Sequence, residues 1–449
     1  MLLYGHGLRR AKACGLAVTV PGLERDVNSY KPLTPETLPL RLGDIAAMVA
    51  AVGGAPDTWN VAEIGDGNLN LVFIVEGTAG SVIVKQALPY VRLVGESWPL
   101  PLKRAYFEYN ALIRQDAVDP GIVPKVLHFD DDQALIIMER LSPHIILREQ
   151  TMAGRKVAGL GSIMGCFCAR TAFLCSDLAM EPAAKKADVA LFVGNVELCD
   201  ITENLVFTDP YFEAELNRHT APQLDGVVAE LRACAALKVE AQHLKRAFTA
   251  RAETLCHGDL HAGSIMVTDD SVRVIDPEFA FYGPMGFDIG MLVGNYLMAH
   301  QAMPAHIADP AACAAYRDWL LDVIRETWVS FTDEFGRLWA TQRSGILYPA
   351  RLYEDQGQMD ASERARDDLL AEIFADMLGF AGIEMHRRIL GLAHVAEFDR
   401  IADPDIRAPL EERSLRLGRD LVLGRRAITT IDDVLAMARA RAAPQGDKA

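Results

Sequence analysis

The run His257-Gly258-Asp259-Leu260-His261-Ala262-Gly263-Ser264, with Asp276-Pro277-Glu278 a short way downstream, has the residue types and spacing of a phosphoryl-transfer centre. An aspartate on a glycine-flanked loop can orient and deprotonate an attacking hydroxyl. Two carboxylates one residue apart offer Mg²⁺ the hard oxygen ligands that it prefers, against nucleotide phosphates. On this reading Asp259 is the catalytic residue, and Asp276 and Glu278 hold the metal. The intervening chain supports the arrangement. Ser264-Ile265-Met266-Val267 and Val272-Arg273-Val274-Ile275 read as strands joined by the turn Thr268-Asp269-Asp270-Ser271, a hairpin that brings the base beside the metal ligands. His257 and His261 want a third ligand to make a metal site. Instead, His257 is expected to bond backbone and shape the loop, and His261 to face substrate or solvent. Asp288, in Gly286-Phe287-Asp288-Ile289-Gly290, either buttresses the loop from the start of a helix or caps that helix.

A second group lies upstream. Glu63-Ile64-Gly65-Asp66-Gly67-Asn68-Leu69-Asn70 is a glycine turn between strands, in which Gly65 and Gly67 let backbone amides approach phosphate closely. An ordinary hairpin turn would look the same. Lys85 ends the apolar strand Val82-Ile83-Val84, where an ammonium is costly to bury without a partner. There it can meet the α- and β-phosphates of a nucleotide. Glu108, on the following helix, is the candidate carboxylate to aim it, and Glu96 is the competitor. Met138-Glu139-Arg140-Leu141 follows an apolar strand and precedes Pro143. A hinge at Glu139, Arg140 and Leu141 would offer backbone groups to an adenine edge, although a plain strand-to-helix connection uses the same residues.

These groups need a small sheet and a larger helical body to bring them together. Strands are expected over residues 59–64, 69–76 and 81–86, then at 125–129 and 134–138, with a helix over 103–114 between them. A helical run also starts near Leu40, after Pro32, Pro35 and Pro39. From Ile145 the pattern is mainly helical, interrupted by the catalytic hairpin, and helical periodicity returns from about Ala311. The expectation is an α+β, bilobal fold: a loose extension over residues 1–29, a sheet-rich N-lobe over 30–140, and a mainly helical C-lobe over 141–449 that ends in a frayed tail.

Half of the 449 residues are apolar, so a substantial core can form. A net charge of −16 argues against nucleic acid or an anionic membrane as the principal partner. It does not argue against ATP, because Mg²⁺ and a few local cations screen the phosphates. No apolar run reaches about eighteen residues, so no transmembrane helix is expected. The N-terminus resembles a signal peptide only faintly, since Gly15 and Pro21 leave its apolar region short. Eight scattered cysteines without a C-x-x-C pair suggest buried, reduced thiols and a cytoplasmic protein.

Five segments in order, Glu63 to Asn70, Lys85-Gln86-Ala87, Gly95-Glu96-Ser97-Trp98-Pro99-Leu100, His257 to Ser264 and Asp276-Pro277-Glu278-Phe279-Ala280-Phe281-Tyr282-Gly283-Pro284, resemble the S-methyl-5-thioribose kinase family. The resemblance runs from about Tyr30 to about Arg400. It implies the protein-kinase-like fold shared with aminoglycoside and choline kinases, a homodimer, and transfer of the γ-phosphate of ATP to the 1-hydroxyl of methylthioribose in methionine salvage. Ser264 stands where the wider superfamily has Asn, and Asp276-Pro277-Glu278 where it has Asp-Phe-Gly. Both departures are features of the methylthioribose kinases, and Glu278 can replace the missing amide oxygen as a metal ligand. Ala262 departs from the family itself, which is expected to have Thr there.

The resemblance further implies that Asn68, Lys85 and the Asp276-Pro277-Glu278 segment bind ATP, that Glu139 to Leu141 form the hinge, and that Asp259 contacts the sugar. It puts Trp98 close to the cleft and the Arg387-Arg388 pair near the substrate. Composition alone would leave those arginines on the solvated side of a helix. Near substrate, a guanidinium can stabilise developing phosphoryl charge or bond sugar hydroxyls. Two other functions remain open: a kinase for 5-deoxyribose or another small hydroxylated acceptor, and a non-catalytic nucleotide-binding pseudokinase. The joint retention of Lys85, Asp259, Asp276 and Glu278 argues against the second.

Overall fold

A computed structural model describes residues 30–64, 69–91 and 95–442, with backbone alone at residues 91 and 95–98. Its first part is built on a five-stranded antiparallel sheet. The strands β1 (Asn60–Glu63), β2 (Asn70–Glu76), β3 (Ser81–Ala87), β6 (Val126–Asp130) and β7 (Leu135–Glu139) lie in the order β1-β2-β3-β7-β6. Strands β4 (Tyr90–Val91) and β5 (Gly95–Pro99) pair as a separate ribbon. Alternation decides what each face of the sheet carries. Phe73, Val75, Val82, Val84, Leu135 and Ile137 point to one face, where they pack with Leu38, Leu42, Met48 and Val52. Those last four come from two short helices, Leu38–Leu42 and Ala46–Val52, into which the expected run after Leu40 divides.

The alternate residues of β3, Ile83 and Lys85, therefore face the other way, toward the helix Arg104–Val118 and the rest of the molecule. Lys85 lies opposite Val72 on one side and Ile136 on the other. This helix runs a turn further than its sequence suggests.

Helices dominate from Leu147 onward. The helices Pro182–Phe192, Pro310–Thr341 and Pro404–Gly424 each begin with proline, preceded by Glu181, Asp309 or Asp403, whose carboxylate accepts backbone N–H groups of the first turn. The helix Phe287–Ala302 is buried at every residue except Asp288 and runs through the middle of this helical body. It packs against Met359–Leu390 and Pro404–Gly424. The last two helices cross at Gly382 and Gly418, where a Cβ on Gly382 would overlap the Gly418 carbonyl oxygen.

Two small sheets, one of three strands and one of two, interrupt the helices. β10 (Ile265–Val267) pairs with β11 (Val272–Val274) and with β8 (Ile145–Ile146), and β9 (Thr254–Cys256) pairs with β12 (Phe281–Gly283). The loops 257–264 and 275–280, which bridge these sheets, consequently run side by side. Seven described cysteines are free thiols, with Cys166 and Cys168 on the helix Leu160–Leu174, while Cys14 lies outside the described residues. Among the described residues no helix is long and apolar enough to cross a membrane.

Candidate active site

The loop that carries Asp259 is shaped by contacts that leave little freedom. Gly258 has φ +88°, and a Cβ there would run into the Phe279 carbonyl, so glycine lets the two loops lie against each other. His257 is fully buried, and its Nε2 donates to the Ile275 carbonyl at 2.9 Å, joining the catalytic loop to the residue before Asp276. Its Nδ1 accepts from the Asp259 amide at 3.3 Å. Asp288 takes the amides of His257 and Gly258 on its two oxygens, at 2.6 and 3.1 Å. Of its two expected roles, it has that of the buttress; no side chain caps its helix. Ser264 Oγ donates to the Asp259 carbonyl at 3.0 Å and so is turned into the loop. The Ala262 carbonyl accepts the Arg148 amide at 3.1 Å.

Asp259 is surrounded by donors. Its Oδ1 accepts from Arg387 Nη2 at 2.6 Å and from Arg388 Nη2 at 3.1 Å, and its Oδ2 lies 3.2 Å from His261 Nε2. His261 was expected to face substrate or solvent, but its ring is turned onto the aspartate. The Gly263 amide donates to its Nδ1 at 2.8 Å, leaving Nε2 as the N–H that points at Asp259. Burial, aided by the Arg388 charge, pushes the imidazole down to about 4, so it is neutral near pH 7. Burial works to raise Asp259, yet His261 and the two guanidiniums hold its carboxyl well below the usual range. Arg387 and Arg388 are inside, with side chains 12% and 6% exposed. The reason is Glu384, fully buried on the same helix, which accepts the Nε of both. Two carboxylates then balance two guanidiniums, and the group can be enclosed.

Lys85 Nζ bonds Glu108 Oε1 at 2.7 Å and also pairs with Asp276 Oδ1. Of the two candidate carboxylates Glu108 is thus a partner of Lys85, while the side chain of Glu96 lies outside those described. Burial disfavours the Lys85 charge, but Asp276, Glu108 and Glu278 together raise its pKa. Asp276 adopts φ +69°, in the left-handed region that Asp tolerates better than most residues, and its side chain is 45% exposed. Glu278 is buried, and burial followed by the Asp276 charge raises its pKa. Its Oε2 accepts from Asn70 Nδ2 at 3.0 Å and lies 3.4 Å from Arg104 Nε. Carboxylate oxygens of Glu108, Asp276 and Glu278 lie within 4.8 Å of one another, an all-oxygen donor set that suits a hard divalent cation.

Arg104 was not singled out from the sequence. It is fully buried, bonds the Leu88 carbonyl at 2.6 Å, and stands one helical turn before Glu108. One face of that helix therefore reaches both Lys85 and Glu278. The available signal was an arginine four residues from the candidate glutamate. Asn70, the last residue of the glycine turn, was likewise given no role of its own.

At the candidate hinge, the Glu139 amide bonds the Lys125 carbonyl at 2.9 Å and its Oε2 accepts from Arg273 Nη2 at 2.7 Å. Arg140 pairs with Glu76, and Leu141 is buried. Pro277 lies between the two metal-ligand candidates, its carbonyl accepting the Ala280 amide at 3.2 Å. The structure therefore assembles Lys85, Glu108, Asp276 and Glu278 in one cluster and Asp259, Arg387 and Arg388 in a second. Gly65, Gly67 and Asn68 lie outside the described residues. Trp98 is described only as backbone in β5.

Residues 60–321 match the phosphotransferase enzyme family. The chain is 45% identical over 416 residues to methylthioribose kinase of Escherichia coli O45:K1, which covers 92% of this chain and 99% of that protein. It is 42% identical over 409 residues to methylthioribose kinase 1 of Oryza sativa subsp. japonica, covering 90% and 94%. It is also 42% identical over 411 residues to methylthioribose kinase of Geobacillus thermodenitrificans, covering 90% and 96%. Likeness of this degree spans both halves of the fold and both clusters, and the chain belongs to the methylthioribose kinase family, within the protein-kinase-like phosphotransferases.

Proposed function

We propose that this protein is an ATP-dependent kinase that phosphorylates the 1-hydroxyl of S-methyl-5-thioribose, in methionine salvage. The observation that carries the mechanism is an aspartate bonded by two enclosed guanidiniums beside a lysine and three convergent carboxylates. Lys85, aimed by Glu108, and the glycine turn with Gly65, Gly67 and Asn68 fix the path of the ATP phosphates. Backbone of Glu139, Arg140 and Leu141 meets the adenine. Asp276 and Glu278 would hold Mg²⁺, which when bound neutralises phosphate charge. Asp259 orients the sugar hydroxyl for in-line attack. With its proton affinity lowered by its neighbours, it takes the proton late, after bond formation to phosphorus has acidified the hydroxyl. Arg387 and Arg388, bonded to Asp259, would stabilise charge on the transferred group, and Trp98 would border the sugar. Free thiols and family likeness support a cytoplasmic homodimer, its lobes dividing at residues 140–141.

The test is ADP release from Mg-ATP with methylthioribose, 5-deoxyribose, ribose, choline and an aminoglycoside in parallel. The expected result is a strong preference for methylthioribose in kcat/KM. Turnover of another acceptor alone would keep the mechanism and overturn the substrate, and silence with all five would overturn catalysis.

A further inference from the structure

Glu384 stands one turn before Arg387 and Arg388 on the helix Met359–Leu390, and none of it is exposed. Its oxygens are divided between the pair. Oε2 accepts from Arg387 Nε, and Oε1 accepts from Arg388 Nε at 2.7 Å. Spacings of three and four residues put both arginines over the same helix face, so one carboxylate can seat two guanidiniums. With each held by its Nε, the Nη2 of both turns to the same oxygen of Asp259. Adjacent guanidiniums without that anchor would repel each other and regain their rotamer freedom.

The anchor is itself held from behind. Asn295 Nδ2 donates to Glu384 Oε1 at 2.9 Å, and Asn295 Oδ1 accepts from Arg148 Nη2 at 3.1 Å. Arg148 Nε donates to Glu397 Oε1 at 3.2 Å, while its backbone amide bonds the Ala262 carbonyl on the catalytic loop. Asn295 belongs to the helix that carries Asp288, two turns earlier. One buried helix therefore supports the catalytic loop with Asp288 and the arginine pair with Asn295.

We propose that Glu384 is a positioning residue for phosphoryl transfer, setting both guanidiniums in register on Asp259 while itself remaining out of contact with substrate. The proposal rests on the role given above to Asp259. Glu384→Gln tests it, because an amide keeps the shape but offers an N–H to one of the two Nε donors and must release that arginine. The expected result is a fall in kcat of about a hundredfold, with nucleotide affinity unchanged in a fluorescent-ATP titration and the melting temperature nearly so. Added to Arg387→Met/Arg388→Met, the same change should alter turnover by less than about threefold, because nothing is left for it to act through.

A kcat near wild type or a full additional loss in the arginine-free background would overturn the proposal. If Glu384→Gln does not fold, Glu384→Asp, charged but too short to reach both Nε atoms, is judged by the same measures. Failure of both to fold would assign Glu384 to the core and overturn the proposal. An inactive wild type would sink the kinase reading instead. The crystal structure of Glu384→Gln would then decide: one guanidinium leaving Asp259 supports the positioning role, and both in place overturn it.

Discussion

Asp259, a quarter exposed, and Glu278, buried, are both carboxylates of the site, but their surroundings drive them in opposite directions. Around Asp259 burial is outweighed by His261, Arg387 and Arg388, so the group stays ionised and binds a proton weakly. Its contribution is then mostly orientation of the hydroxyl. Asp259→Ala is expected to lower kcat by about a thousandfold or more while ATP affinity, read by calorimetric titration, changes little. A kcat within tenfold of wild type would remove Asp259 from the mechanism. Around Glu278, burial and Asp276 favour the proton, and Asn70 with Arg104 keeps the carboxylate in place. Glu278→Gln preserves that packing and deletes the charge. The Mg²⁺ concentration for half-maximal activity should rise about tenfold, and an unchanged magnesium titration would count against a two-carboxylate metal site.

At the scale of elements, two helices do most of the positioning. The helix Arg104–Val118 presents Arg104 and Glu108 on one face, to Glu278 and Lys85 respectively. The helix Met359–Leu390 presents Glu384, Arg387 and Arg388, and its approach to Pro404–Gly424 is set by the glycine contact at Gly382. Gly382→Ala must push backbone away from backbone two residues before Glu384. The expected cost is about 1–3 kcal/mol, seen as a melting temperature several degrees lower, together with a reduced kcat. An unaltered melting curve would mean that the helices separate freely.

Sequence patterning conveyed some of these elements better than others. The strands around Lys85 alternate and pack on one face, so a period of two marks them. The helix Phe287–Ala302 is apolar on nearly every side, because it is enclosed on nearly every side, and carries no amphipathic stripe to announce it. The short helices Leu38–Leu42 and Ala46–Val52 read as one run because only residues 43–45 separate them and both turn apolar residues to the same sheet face.

For the whole molecule, enclosure of titratable groups couples stability to pH. His300 and His386 are held by burial down to about 3 and about 4, respectively. His386 is neutral between the Tyr211 hydroxyl and the Leu415 carbonyl, each at 3.0 Å. In the unfolded chain both titrate near pH 6.5. Between that value and their folded ones, the unfolded chain binds protons that the native protein does not. Their stabilising contribution is therefore complete above about pH 6.5 and is lost as pH falls toward 4 and 3. Each should cost about 2 kcal/mol of stability by pH 5, so the melting temperature should drop clearly between pH 7.5 and 5. His386→Gln should flatten that slope. A melting temperature that is level across the interval would show that neither histidine stays neutral in the native state.

Contiguous residues determined the chemistry and the class of fold. Asp259 on its loop, Asp276 with Glu278, and Lys85 at the end of an apolar strand can be read from sequence because each depends on near neighbours and on local periodicity. Tertiary structure decided what those groups meet. Arg387 reaches Asp259 across 128 residues, and Glu384, Asn295 and Arg104 take part only because elements distant in the chain pack together. The pattern of a helix says which residues share a face, but not what that face is buried against. For Arg387 and Arg388 that difference is decisive: the same two charges would be a solvated surface on an isolated helix, and in the folded protein they converge on one carboxylate.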